Sequence, residues 1–205
     1  MQEVKETSAY RASLKMRILQ TAMPLFTEHG IKAVKMDDIA TALSISKRTL
    51  YEIYDDKESL LQEGIRFFQQ KHRNRLETAA SGKSNVMEII LEMYRINIER
   101  ISRVNPVFYS DIEKYPRILK SLDQDKESRK QQFFNFMQRG VDEGYFRPDV
   151  NYNIVSFMFD ALGKYMMEMH LYEKYPIKEL YLNMLFVSLR GFCTTKGIEI
   201  LDKAI

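Results

Sequence analysis

Within the nine residues Ser46-Lys47-Arg48-Thr49-Leu50-Tyr51-Glu52-Ile53-Tyr54 the chain sets the cations Lys47 and Arg48 close to the Thr49 hydroxyl and the Tyr51 phenol. On a helix, Leu50 and Tyr54, four apart, share the inward face, while Lys47, Arg48, Tyr51 and Glu52 fall on other faces. Outward groups of these types suit one chemistry. Arginine and lysine reach guanine edges, tyrosine touches a thymine methyl, and threonine holds a phosphate oxygen. The major groove of DNA admits one helix of this width. An ordinary helical hairpin with a solvated charged face would carry the same pattern, and the helix pair alone leaves both readings open.

Bond-breaking chemistry has far less to stand on. His29, His72 and His170 lie far apart, and none sits in a metal-binding spacing such as H-E-x-x-H. There is no glycine-rich dinucleotide or phosphate loop and no G-x-S-x-G, and Asp111, Glu113 and Asp160 have no spacing that marks a carboxylate pair. The single cysteine, Cys193, allows neither an intramolecular disulfide nor a cysteine metal cage. The expectation is a binding protein, not an enzyme, with no cofactor and no metal.

The elements that must position the cationic helix are legible around it. Ile39, Ala40 and Leu43 form one face of a preceding helix, with Ile45 in the turn. Residues 1 to about 9 are polar and read as frayed. From about Tyr10 to His29, the stripe Leu14, Ile18, Ala22, Leu25, Phe26 marks an amphipathic helix stopped by Gly30, with Pro24 predicting a kink or a tightened last turn. Asp55-x-x-Glu58 reads as a capping box opening a long fourth helix to about Thr78. Ala79 to Ser84 reads as a linker, and Ser84 as the cap of a helix through Val86, Ile89, Ile90, Met93, Ile96, Asn97 and Ile101. A short helix from Val107 to about Lys114 comes next. Another runs from Pro116 to about Glu143, its charged middle, Asp123 to Lys130, in solvent. The last two helices run from about Tyr152 to Lys174 and from about Lys178 to Cys193, the second extending at most to Lys203.

The run from Gly30 to Leu60, G-I-K-A-V-x-M-x-x-I-A-x-x-L-S-I-S-K-R-T-L-Y-x-I-Y-D-D-K-E-S-L, resembles the DNA-binding region of the tetracycline-repressor (TetR) family of transcription regulators. Ala22, Leu25, Phe26 and Gly30 are similar to that family's first helix. The resemblance implies an all-α fold, with a helix-turn-helix DNA-binding domain over residues 1–56, a linking helix over 57–78 and an effector-binding and dimerisation domain over 79–205. It implies that Lys47 and Arg48 face bases or phosphates, that Thr49 and Tyr51 contact backbone and a base edge, and that Lys57 sits on a phosphate. Three positions depart from the family pattern. Met36 stands where many relatives have Thr or Ser, which removes a side-chain cap worth about 1 kcal/mol and leaves only the Met36 amide for a phosphate. Ser44 stands where Gly is common in the turn and carries strain if φ is positive there. Arg48 stands where a small residue is frequent and adds a contact that makes the operator this chain's own.

At 205 residues the chain is long enough to bury a substantial core in one large domain or two small ones, and its 45% hydrophobic content is that of a globular protein. No run of 18 apolar residues predicts a membrane span, and the first residues lack an apolar signal core, so a cytoplasmic protein is expected. Net charge is only +3, and Met1 to Lys57 holds nine Lys and Arg against eight Asp and Glu. Any affinity for nucleic acid therefore comes from where the cations stand.

The last two helices are apolar nearly all round, which buries each on more than one side. The economical solution, implied by the resemblance as well, is a two-fold homodimer whose last two helices form a four-helix interface through Phe157, Met167, Leu185, Leu189 and Phe192. Its two recognition helices would then enter successive major grooves of a palindromic double-stranded operator. Met93, Phe108, Tyr109, Phe133, Met137, Phe157 and Tyr165 are the adaptable side chains that suit a pocket for a small apolar or aromatic effector, the ligand type the resemblance implies for this region. Repression is the expected output. An activator, an effector-free regulator, or a helical ligand-binding protein that uses its N-terminal hairpin for protein contacts are the alternatives.

Overall fold

The computed structural model describes residues 2–83, 85–122 and 126–203, with side chains over 9–83, 85–120 and 129–203. Among the described residues the fold is all-α, with no strand beyond one isolated antiparallel bridge, Phe146 to Cys193. The chain divides into two compact units, residues 1–73 with 103–122, and residues 74–102 with 123–205.

The first unit begins with α1 (Gln2–His29), which starts well before the predicted Tyr10, since nothing in residues 2–9 breaks a helix. Pro24 is accommodated inside it. Gly30 ends it at φ +86°. The short helices α2 (Met36–Ala42) and α3 (Lys47–Tyr51) come next, then the long α4 (Lys57–Ser81). Phe26, Ile18, Ile31, Ile39, Leu50, Leu60 and Leu61 are essentially solvent-free and form one core. Two later helices join that core, α6 (Pro106–Ile112) and α7 (Pro116–Leu122), through Ile112, Ile118, Phe108 and Tyr115. The expected boundary at residue 79 therefore gives way to an interleaved one, because the apolar faces of α6 and α7 are buried against the N-terminal helices.

The second unit contains the end of α4, α5 (Val86–Ile101), α8 (Lys126–Asp142), α9 (Tyr152–Glu168), α10 (Leu171–Lys174), α11 (Ile177–Phe192) and α12 (Thr195–Asp202). Its core joins Val86, Met87, Met137, Phe146, Phe186, Leu189, Phe192 and Leu201. The predicted Tyr152–Lys174 helix breaks at His170, whose φ is +49°, and the last helix breaks where Cys193 turns extended to meet Phe146. Thr194 caps α12, its hydroxyl accepting from the Gly197 amide at 3.4 Å. Ser84, expected as a cap, and the side chains of residues 121–128 within the charged stretch lie outside the described residues. The α5 cap is Asn85, whose Oδ1 accepts from the amides of Met87 at 3.1 Å and Glu88 at 3.0 Å.

Candidate nucleic-acid interface and ligand cavity

The turn between α2 and α3 is fixed by main-chain geometry. The Ile45 amide donates to the Ala40 carbonyl and the Ser44 amide to that of Thr41, each at 3.0 Å, with Ser44 left-handed at φ +54°. This is the Schellman stop, in which the left-handed position usually belongs to glycine. Ser46 then caps α3, its Oγ accepting from the Thr49 amide at 3.0 Å and pairing with the Thr49 hydroxyl at 2.8 Å. Leu50 and Tyr54 point inward and are buried. Burial raises the Tyr54 phenol pKa, and the nearby Glu63 carboxylate raises it further.

With those two anchored, α3 presents Lys47, Arg48 and Tyr51 to solvent, the Arg48 side chain at 89% exposure. Each cation has a carboxylate beside it: Lys47 pairs with Asp37, and Arg48 Nε donates to Glu52 Oε1 at 2.9 Å. Exposed pairs like these are worth little, so phosphates can replace the carboxylates at small cost. Arg11 supports the far end of α3, its guanidinium donating to the Glu52 carbonyl at 2.9 Å.

Two of the expected contact residues also have structural roles. Met36 is buried, so its side chain belongs to the core and only its main chain is available to a ligand. Its helix is steadied by Asp38, whose carboxylate accepts from the Lys35 amide at 2.8 Å. The Lys57 ammonium donates to the carbonyls of Ile31 at 2.8 Å and Val34 at 2.9 Å, clasping the loop that leads into α2. Desolvation lowers the Lys57 pKa, with Asp111 and Asp38 opposing the shift. The fourth helix is capped one residue later than predicted. Asp56 Oδ1 accepts from the Ser59 amide at 2.7 Å, and Ser59 Oγ donates back to the Asp56 carbonyl at 2.9 Å.

Asp111 belongs to this region, although sequence reasoning did not place it there. It is 4% exposed, and its Oδ2 accepts from the Lys32 amide at 2.8 Å while Oδ1 accepts from Lys114 Nζ at 3.2 Å. Burial alone would raise its pKa, but the Lys32 amide and then the Lys114 ammonium outweigh burial and hold it below the ordinary carboxylate range. Asp111 and Lys57 thus grip the Ile31–Val34 loop from α6 and α4. The sequence signal was an acid three residues before a lysine on an otherwise apolar short helix.

The second unit holds a cavity of about 1370 Å³. Met93, Phe133, Met137 and Phe157 line it as expected. Phe108 and Tyr109 do not, since α6 belongs to the first unit, and Tyr165 is exposed on α9 away from the lining. Sequence reasoning missed Tyr94, Asn97, Phe136, Phe159 and Tyr181. Asn97 on the apolar stripe of α5 was the available clue. Leu189 and Phe192, expected in a dimer interface, are buried in the monomer and line the cavity, as does half-buried Leu185. Met167 is half-buried and Phe157 remains exposed, at 67%.

Residues 18–63, the span that contains the whole α2–turn–α3 arrangement, match the family of bacterial regulatory proteins, tetR family. That region is a TetR-family DNA-binding region. The chain is 29% identical over 158 residues to the HTH-type transcriptional repressor KstR2 of Mycolicibacterium smegmatis, covering 73% of this chain and 76% of that one. The solved KstR2 of Mycobacterium tuberculosis shares its fold at a TM-score of 0.56 and 22% identity, covering 88% of this chain and 95% of that one. A TetR-family regulator from Cytophaga hutchinsonii aligns at a TM-score of 0.68 and 16% identity over 91% of this chain and 98% of that one. No helix among the described residues is long and apolar enough to cross a membrane.

Proposed function

We propose that this protein is a homodimeric TetR-family transcriptional repressor, released from a roughly palindromic operator by a small apolar or aromatic effector held in the second unit. The observation that carries the DNA-reading half is the surface of α3, where Leu50 and Tyr54 are buried and Lys47, Arg48 and Tyr51 project outward. Arg48 and Lys47 read base edges or phosphates, Tyr51 touches a base edge, and Thr49 assists at the backbone. The repressor name of KstR2, a relative similar over most of its length, supports the direction of regulation.

The dimer rests on apolar side chains left in solvent. Ile154, Phe157 and Met158 are exposed along α9, and Val187 is exposed on α11. Helical spacing gathers the first three onto one stripe. A two-fold partner covering α9 and α11 removes that surface from water and presents two recognition helices at about the 34 Å repeat of the duplex. The cavity supplies the effector site. An effector that prefers the DNA-incompetent conformation lowers operator affinity by the ratio of its affinities for the two states.

The test is binding to a selected operator by the wild type and by Lys47→Ala/Arg48→Ala. The double variant should lose operator binding and part of the salt dependence while retaining its fold and any ligand affinity. Unchanged affinity in the variant would refute the α3 assignment.

A further inference from the structure

The effector cavity carries charge as well as volume. Tyr94, Phe133, Phe159 and Phe192 give it aromatic walls, and the Tyr94 and Tyr181 rings lie nearly parallel, 13° apart with centroids at 6.3 Å. Its volume of about 1370 Å³ exceeds the usual pocket range of about 300–1,000 Å³, so it accommodates a long or multi-ring apolar body. Among the described residues its ionic lining is three cations, Arg129, Lys130 and Lys164, to one carboxylate, Asp160. Lys130 is half-buried, its ammonium 6.0 Å from the centre of the Phe134 ring. Lys164 lies 3.5 Å from Glu168 in an exposed pair, a partner readily exchanged for a ligand anion. A neutral ligand would leave these cations unused, and a cationic one would meet net repulsion from them.

We propose that the ligand of this cavity is an amphipathic organic anion, its apolar body against the aromatic walls and a carboxylate or phosphate head held by Lys130 with Arg129 and Lys164. This assignment rests on the effector reading and adds the sign of the ligand's charge to it. Charge-assisted hydrogen bonds, partly shielded by the neighbouring rings, supply the preference for an anion.

Titration calorimetry on the whole chain tests it with four probes sharing one dodecyl body: laurate, dodecyl phosphate, 1-dodecanol and dodecyltrimethylammonium, each below its self-association concentration. At least one anion should bind about tenfold more tightly than dodecanol, with the ammonium weakest. A preference for laurate identifies a carboxylate head, and a preference for dodecyl phosphate a phosphate head. Arg129→Gln/Lys130→Gln should shrink the anion preference to within about threefold while leaving dodecanol binding unchanged, and Lys130→Arg should retain it. Equal binding of dodecanol and both anions, or a preference that survives the double variant, overturns the anion assignment and leaves an apolar effector standing. Failure of all four probes to bind, together with operator affinity indifferent to filling the cavity by Ser156→Trp, overturns the effector reading itself.

Discussion

Glu52 touches both the surface and the support of α3: its carboxylate holds Arg48 and its main-chain carbonyl holds Arg11. Replacing Glu52 with Gln removes the intramolecular competitor for the Arg48 guanidinium and leaves the carbonyl in place. Affinity for DNA of any sequence should rise a few-fold, whereas Arg48→Ala should cost about 1–3 kcal/mol on the preferred operator and relax one base position. Fluorescence anisotropy on specific and scrambled duplexes separates the two effects. The buried Asp111 gives a pH signature. A carboxyl whose folded pKa lies below its unfolded value stabilises the fold above the unfolded value, near 3.8, and loses that contribution as pH falls through the folded value. Asp111→Asn should therefore lower stability by about 1–3 kcal/mol at neutral pH. The gap from wild type should close only under strongly acidic conditions, which urea titrations across pH will show.

At the scale of elements, two helix stops use the same hydrogen-bond pattern with different residues. After α8, Gly144 takes φ +78°, its amide donating to Val141 and that of Tyr145 to Gly140, both at 2.9 Å. After α2, Ser44 holds the equivalent position at φ +54°. Ser44→Gly should stabilise the protein by up to about 1 kcal/mol, since the left-handed cost it removes slightly exceeds the entropy that glycine adds to the unfolded chain. Gly30→Ala should do the reverse by about 1–3 kcal/mol. An added Cβ there would lie 2.6 Å from Val107 Cγ1 and 3.0 Å from Asp111 Oδ2, at a positive φ. Thermal unfolding of both variants checks the pair. These stops were legible because glycine and short polar residues interrupt strong apolar periods. The caps were less so. Asp55 and Asp56 are adjacent acids, and only the backbone decides that Asp56 faces the Ser59 amide. The break at His170 left no sequence mark either, because its left-handed turn contains neither glycine nor proline.

For the molecule as a whole, the N-terminal motif was readable because its inward residues repeat at helical spacing and its outward residues are chemically distinctive. The boundary was not, because Phe108, Ile112 and Ile118 carry the same apolar character whichever core receives them. The same ambiguity sent Leu189 and Phe192 toward a partner surface when they fill their own unit. The proposed dimer rests instead on the exposed stripe of α9 and on Val187. Phe157→Glu and Val187→Glu should yield a folded monomer by light scattering, with operator affinity falling because two half-sites are no longer bound together.

Selection of bound duplexes from random sequence tests the central claim most directly. The account predicts a two-fold symmetric consensus with half-sites one helical turn apart, or a multiple of it, and its loss when Lys47 and Arg48 are replaced by alanine. Absence of any enriched sequence, or an enrichment that the double variant reproduces, would contradict the reading of α3 as the surface that meets DNA.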